Sequence, residues 1–193
     1  VHTDLADDGY EAGIPLRQLM AQFGILDKVL FCDQERYRYG GFPTEYMRAY
    51  YNSIDVLNAV SLGEGFGIPA LEAQACGIPV IVGDWCAHED LCFGGWGVQK
   101  KDAHHFYDQQ QGWVYIPHPA AIAHRMEKAY GAHTQPHMWL EKCTNALTGA
   151  APYQIDTVIR DHWLPLLAEL EHDIRHPRSR GVLRIIRREE VFS

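Results

Sequence analysis

The passage that most constrains this chain runs from an apolar segment at 54–60 to a second one at 78–82. Between them lie a loop with Gly63, Gly65 and Gly67, then a stretch at 68–76 with helical spacing, then Gly77 as a stop. Glycine at a helix C-terminus accepts the left-handed conformation that ends the hydrogen-bond ladder. A strand, a short loop, a helix and another strand in this order form a crossover unit of a parallel sheet.

The same alternation extends to either side. Leu16, Leu19, Met20 and Phe23 share one helix face, with Gly24 as the stop, and residues 28–32 read as a short strand. Tyr46, Met47, Tyr50, Tyr51 and Ile54 form a second helix face starting near Pro43 and Thr44. The strands are continuous apolar runs, which suits a sheet covered on both faces. The fold class expected is therefore α/β, a Rossmann-like doubly wound parallel sheet with its ligand site at the carboxyl ends of the strands. Residues 84–118 read mostly as loop, with a helical turn near His88 and a strand at 113–116. Helices are expected at about 119–130 and 135–148, and a last helical pattern from Ile155 to Leu170 should be kinked or split at Pro165.

The loop and helix start carry the chemistry. Closely spaced glycines let the backbone approach a ligand. Pro69 suits the first turn of a helix, where its missing N–H costs nothing. Free N–H groups and the helix dipole favour an anion such as a diphosphate there. Glu64 in the loop and Glu72 one turn into the helix flank that place, and a carboxylate beside a sugar or ribose accepts hydrogen bonds from paired hydroxyls. The residues alone leave other readings open. A glycine-rich turn is common, a glutamate near a helix start can merely complement the dipole, and two glutamates can be the acid and nucleophile of a glycosidase. The glycine–helix platform between the two carboxylates favours phosphate over the glycosidase.

The segment Ser61-Leu-Gly-Glu-Gly-Phe-Gly-Ile-Pro-Ala-Leu-Glu-Ala-Gln-Ala-Cys-Gly-Ile-Pro-Val-Ile is similar to the signature of the retaining glycosyltransferases of family four (group 1). Asp27-Lys-Val-Leu-Phe, Tyr51-Asn-Ser-Ile-Asp-Val and Asp161-His-Trp-Leu-Pro-Leu-Leu resemble further elements of that family's C-terminal, donor-binding domain. The resemblance implies one half of a GT-B fold, two Rossmann-like domains with the active site in the cleft between them. It implies transfer of a sugar from a nucleotide diphosphate sugar with retention, requiring neither cofactor nor metal. No D-x-D motif is present to hold one. By this resemblance Glu64 contacts the transferred sugar beside the reacting centre. Phe66 and Gly67 turn their backbone to the sugar hydroxyls. Ile68, Pro69 and Ala70 form the helix start that meets the phosphates, and Glu72 binds the ribose hydroxyls. The loop at 33–42 is longer than the family's usual one, so no residue is assigned to the base. The family's Arg and Lys on the diphosphate have no counterpart here. The chain starts at Val1 with what looks like the following strand, so the first strand and the N-terminal acceptor domain are expected to lie outside it. The domain expected is 1–173, followed by a tail at 174–193. Such a chain is expected to be inactive by itself; a non-catalytic nucleotide-sugar-binding module and a degenerate interaction domain are the alternatives.

A formal charge of −8 argues against a nucleic-acid partner. The tail departs from that balance, with six Arg and two Glu, and could touch an anionic membrane peripherally, although a solvated terminal segment is the favoured reading. Five cysteines without a C-x-x-C pair read as reduced thiols of a cytoplasmic protein, and no apolar run is long enough to span a bilayer. His88-Glu-Asp90 and His104-His105 are candidate metal ligands, and Trp96, Trp113 and Tyr115 candidate sugar-stacking rings; surface or packing roles are favoured for both groups.

Overall fold

A computed structural model describes residues 14–108 and 112–176. The segment expected to begin the domain, before residue 14, and the arginine-rich tail beyond residue 176 lie outside the described residues. The chain divides between Asp55 and Val56 into two compact units.

The first unit holds α1 (Leu16–Gln22) and α2 (Thr44–Asn52). Gly24, at φ 65°, closes α1 as expected, and the Ile25 N–H reaches back to the Met20 carbonyl. Among the described residues, 28–32 are not paired as the expected strand. Leu26–Lys28 is a 3-10 turn, and Val29 is extended without a strand partner among the described residues of its unit. A short apolar run becomes a strand only when a neighbour accepts its ladder, and periodicity cannot supply that neighbour.

The second unit contains the sheet. Strands β1 (Leu57–Asn58), β2 (Val80–Gly83) and β3 (Trp96–Val98) are parallel in the order β1-β2-β3. Leu57 lies opposite Val80, and Ile81 opposite Trp96. β2 is buried along its whole length, as a central strand covered on both faces must be. Helix α3 (Ile68–Ala75) crosses from β1 to β2, and Gly77 ends it at φ 78° with Ile78 N–H on the Ala73 carbonyl. A short α4 (His88–Leu91) leads to β3. Ile81, Trp85 and Val98 pack with Ala129 of α5 (Pro119–His133). Side chains alternate along a strand, so Val80 and Val82 point to the opposite face.

Residues 84–118 hold more structure than the reading as loop allowed. Besides β3 they contain a hairpin of β4 (Ala103–Tyr107) and β5 (Trp113–Pro117), paired antiparallel with His105 opposite Tyr115. Histidines and glycines mask the short period-two pattern of these strands. Helix α6 (Pro136–Ala150) follows α5. The C-terminal pattern is interrupted just before Pro165. Its pieces are α7 (Ile155–Val158), a π-helical turn at Ile159–Trp163 and α8 (Leu164–Arg175), which follow one another in helical backbone, and the π turn falls where the missing Pro165 N–H breaks the regular ladder. Among the described residues no helix is long and apolar enough to cross a membrane.

Candidate functional site

The loop at 61–67 leaves the end of β1 and enters α3 at the carboxyl edge of the sheet, where a parallel α/β fold collects its ligands. Gly67 is the N-cap of α3 and adopts a left-handed conformation, φ 90° and ψ 46°. This is where glycine is needed: a β-carbon on Gly67 would sit 2.4 Å from Nε2 of His88. A β-carbon on Gly65 would meet nothing within 4 Å, so the backbone there borders open space.

The backbone donors of this loop are its main chemical resource. Among the described residues, the N–H groups of residues 63–68 donate to no protein acceptor. Further into the first turn, Pro69 has no N–H, and Ala70 already donates to the Gly67 carbonyl at 3.1 Å. Ala70 is also fully buried, whereas Ile68 is 59% exposed. Of the expected phosphate-facing helix start, Ile68 therefore keeps an available N–H. Such a run of backbone donors at a helix N-terminus favours an anion.

Glu64 is half-buried in the loop and Glu72 is exposed on α3. Glu72 helps line a cleft of about 410 Å³ whose other walls include Leu71, Ala75, Leu147 and Tyr153. Phe66 leaves its ring against Tyr153, with centroids 6.1 Å apart.

Contacts from behind fix the loop, and the sequence pattern did not expose them. Gln74, fully buried on α3, donates from Nε2 to the carbonyls of Leu91 (2.7 Å) and Ala70 (3.1 Å). Its Oε1 accepts from the N–H groups of Phe93 (2.8 Å) and Gly94 (3.2 Å). All its donors and acceptors are thus engaged, as burial of an amide requires. Trp85 is buried in the core, donates its indole N–H to the Ser61 carbonyl at 3.1 Å, and stacks on Tyr115 at 5.2 Å. The Tyr115 N–H donates to the Leu62 carbonyl, so the hairpin also holds the loop. Ser61 Oγ is buried without a hydrogen-bond partner among the described residues. A polar residue flanked by alanines, or a tryptophan after a strand, gives no sign in sequence of which distant carbonyl it will meet.

The remaining candidates separate by environment. Trp96 lies in β3 with Lys142 Nζ over its ring at 5.3 Å, and Tyr115 is stacked on Trp85, so both pack. Trp113 is 56% exposed, on the hairpin beside His105 and Tyr107. His88 is buried, and burial holds its imidazole below the usual range, with nearby Glu64 acting in the opposite sense. Glu89 is tied to Lys100 at 2.7 Å, and His104 packs on His118. Among the described residues no three His, Cys, Asp or Glu side chains are gathered to hold a metal ion. All five cysteines are free thiols, and burial pushes those of Cys92 and Cys143 up.

Known proteins resemble this chain in sequence, and a solved structure resembles it in fold. The family model for glycosyl transferases group 1 matches residues 15–129. Over 80 residues the chain is 32% identical to the lipopolysaccharide core biosynthesis mannosyltransferase LpsB of Rhizobium meliloti (strain 1021), covering 42% of this chain and 20% of that protein. Over 73 residues it is 40% identical to a D-inositol 3-phosphate glycosyltransferase of Geodermatophilus obscurus, covering 38% of this chain and 15% of that protein. The matched segments thus span a fifth or less of these relatives. In three dimensions, the sucrose-phosphate synthase of Thermosynechococcus elongatus shares the fold, with a TM-score of 0.55 and 21% identity, covering 80% of this chain and 34% of that one.

Proposed function

The chain belongs to the glycosyl transferases of group 1, and from that premise we propose that it is the donor-binding part of a retaining glycosyltransferase whose donor is a nucleotide diphosphate sugar. The observation that carries this reading is the run of backbone N–H groups at 63–68 that have no acceptor among the described residues, leading into α3 between the carboxylates of Glu64 and Glu72. In this reading the diphosphate lies against those donors and the N-terminus of α3, with Ile68 supplying the first-turn N–H, Pro69 shaping the turn and Ala70 packing it onto the core. The backbone at Phe66 and Gly67 faces the sugar hydroxyls. Glu64 orients the sugar, and Glu72 accepts the paired ribose hydroxyls.

The chemistry of such a site is electrostatic. As the bond from the anomeric carbon to the diphosphate breaks, the electron pair leaves on the phosphate oxygen, and backbone donors already in place stabilise that charge. The carboxylate of Glu64 opposes the positive character developing on the sugar. An acceptor hydroxyl then forms the new bond on the face the leaving group vacates, its proton passing to the departing phosphate oxygen, giving retention. The acceptor is held by a further domain, without which this chain does not turn over.

Calorimetric titration of the 193-residue chain with UDP, GDP and ADP tests the reading. Heat of binding with at least one nucleotide is expected, weakened about tenfold or more by Glu72→Ala, the scale of a charge-assisted hydrogen-bond pair. Absence of binding by all three refutes the donor site, and binding indifferent to Glu72→Ala refutes the ribose assignment. Turnover of a nucleotide sugar by the chain alone refutes the need for a second domain.

A further inference from the structure

His88 is two residues beyond Cys86, the one non-glycine residue with positive φ among the described residues. It opens α4, a helix too short to need a histidine for its own sake. The side chain is only 2% exposed. Its ring occupies the space where a side chain on Gly67 would project: Nε2 and Cδ2 lie 2.4 and 2.6 Å from the position of an added β-carbon. A residue at φ 90° is not held there by its own preference unless it is glycine, and glycine by itself samples many conformations. The imidazole closes off the neighbouring volume and so leaves Gly67 few alternatives to its left-handed turn.

We propose that His88 is a positioning residue of the donor site, whose ring, lodged in the place of a Gly67 side chain, fixes the turn that presents the loop's N–H groups and the N-terminus of α3 to the diphosphate. This rests on the donor-site reading above and adds to it a residue outside the glycine–glutamate segment. The ring performs this role uncharged. Burial disfavours its protonated form, and Glu64 is the charged group that acts on it from the loop. Of the elements packed on α4, α3 brings one ionisable side chain, Glu72, and β2 brings none. On α4 itself Glu89 is paired with Lys100, and Asp90 is exposed.

The test uses the full chain and whichever of UDP, GDP and ADP binds it. His88→Ala removes the ring and is expected to weaken nucleotide affinity about tenfold, one decade corresponding to roughly 1.4 kcal/mol. His88→Phe restores a flat ring that cannot take a proton and is expected to stay within about threefold of the parent at pH 7.5, on the same scale. Protonation of the nucleotide affects both proteins alike. The affinity of the parent relative to His88→Phe should therefore hold through the ordinary imidazole range and fall as the pH is lowered below it, where the buried ring is forced to take up its proton. Gly67→Ala should cost at least about fivefold more affinity in the parent than in the His88→Ala background, because the two sites share one volume. A correctly folded His88→Phe as weak as His88→Ala, or additive effects at 67 and 88, overturns the proposal while leaving the donor site intact. A parent that gains on His88→Phe at low pH also overturns it, since the imidazole would then touch the anion directly. Failure of all three nucleotides to bind removes the donor site and this role together.

Discussion

Replacing Gln74 with leucine separates what its hydrogen bonds contribute from what its volume contributes. The substitution keeps approximately the same size and adds apolar surface at a fully buried position, so packing alone predicts a change of under about 1.5 kcal/mol. The hydrogen bonds predict more. Leucine leaves the Leu91 carbonyl and the N–H groups of Phe93 and Gly94 without the partners they have at 2.7, 2.8 and 3.2 Å. The Ala70 carbonyl matters less, since it retains its own intrahelical bond. At about 1 kcal/mol for each of three buried or half-buried groups stripped of a partner, the loss is about 3 kcal/mol. Urea unfolding of the full chain, followed by tryptophan fluorescence and circular dichroism together, measures it. A loss below about 1 kcal/mol would show that water or a backbone shift rescues these groups, and that the amide does not clamp α3 to the turn after α4.

Three further outcomes follow from the surroundings of the loop. Ser61→Ala removes a buried hydroxyl that has no partner among the described residues and should leave stability unchanged or raise it by up to about 1 kcal/mol; a loss above about 1 kcal/mol in chemical denaturation would contradict this. Trp85→Phe strips the Ser61 carbonyl of its indole donor and opens space in the core, with an expected loss of about 2 kcal/mol in the same assay. The depressed protonation of His88 means that the unfolded chain takes up that proton first. Its contribution to stability is thus complete above the ordinary imidazole range and lost as the pH falls through it towards the folded-state value. Unfolding measured against pH should show this fall in the parent and a shallower one in His88→Phe; equal slopes would refute it.

The βαβ unit was legible because it obeys several local rules together. Gly77 stops α3 at φ 78°, Pro69 sits in its first turn, and β2 is apolar throughout because both its faces are covered. Helices α5 and α6 fall where helical patterns were expected, at about 119–130 and 135–148. What escaped has a common physical origin. Residues 28–32 are as apolar as a strand, yet among the described residues no neighbouring strand pairs with them. The hairpin of β4 and β5 is built from histidine and aromatic residues whose alternation is weak, so its pairing appears only in three dimensions. At the candidate site, the glutamates and glycines were visible as a pattern. Which glycine needs to be one was not: a side chain at Gly65 would meet open space, whereas one at Gly67 would collide with His88.

That difference bears on how the site is made. A flexible loop with free N–H groups binds an anion poorly, because ordering each residue costs about 1–2 kcal/mol of backbone entropy at the moment of binding. Here the loop is anchored at its entry by Trp85 and Tyr115 through the carbonyls of Ser61 and Leu62. At its exit Gln74 ties α3 to the segment after α4, and His88 fills the side of Gly67. Between these anchors the backbone at Gly65 borders open space. The motif supplies the groups that meet a ligand, and residues outside its recognisable letters hold those groups still. A transplant of 61–72 alone into another parallel α/β domain should therefore bind nucleotide far more weakly than one that also carries Gln74, Trp85 and His88 with their partners. Equal binding by the two grafts would show that the glycine loop is sufficient by itself.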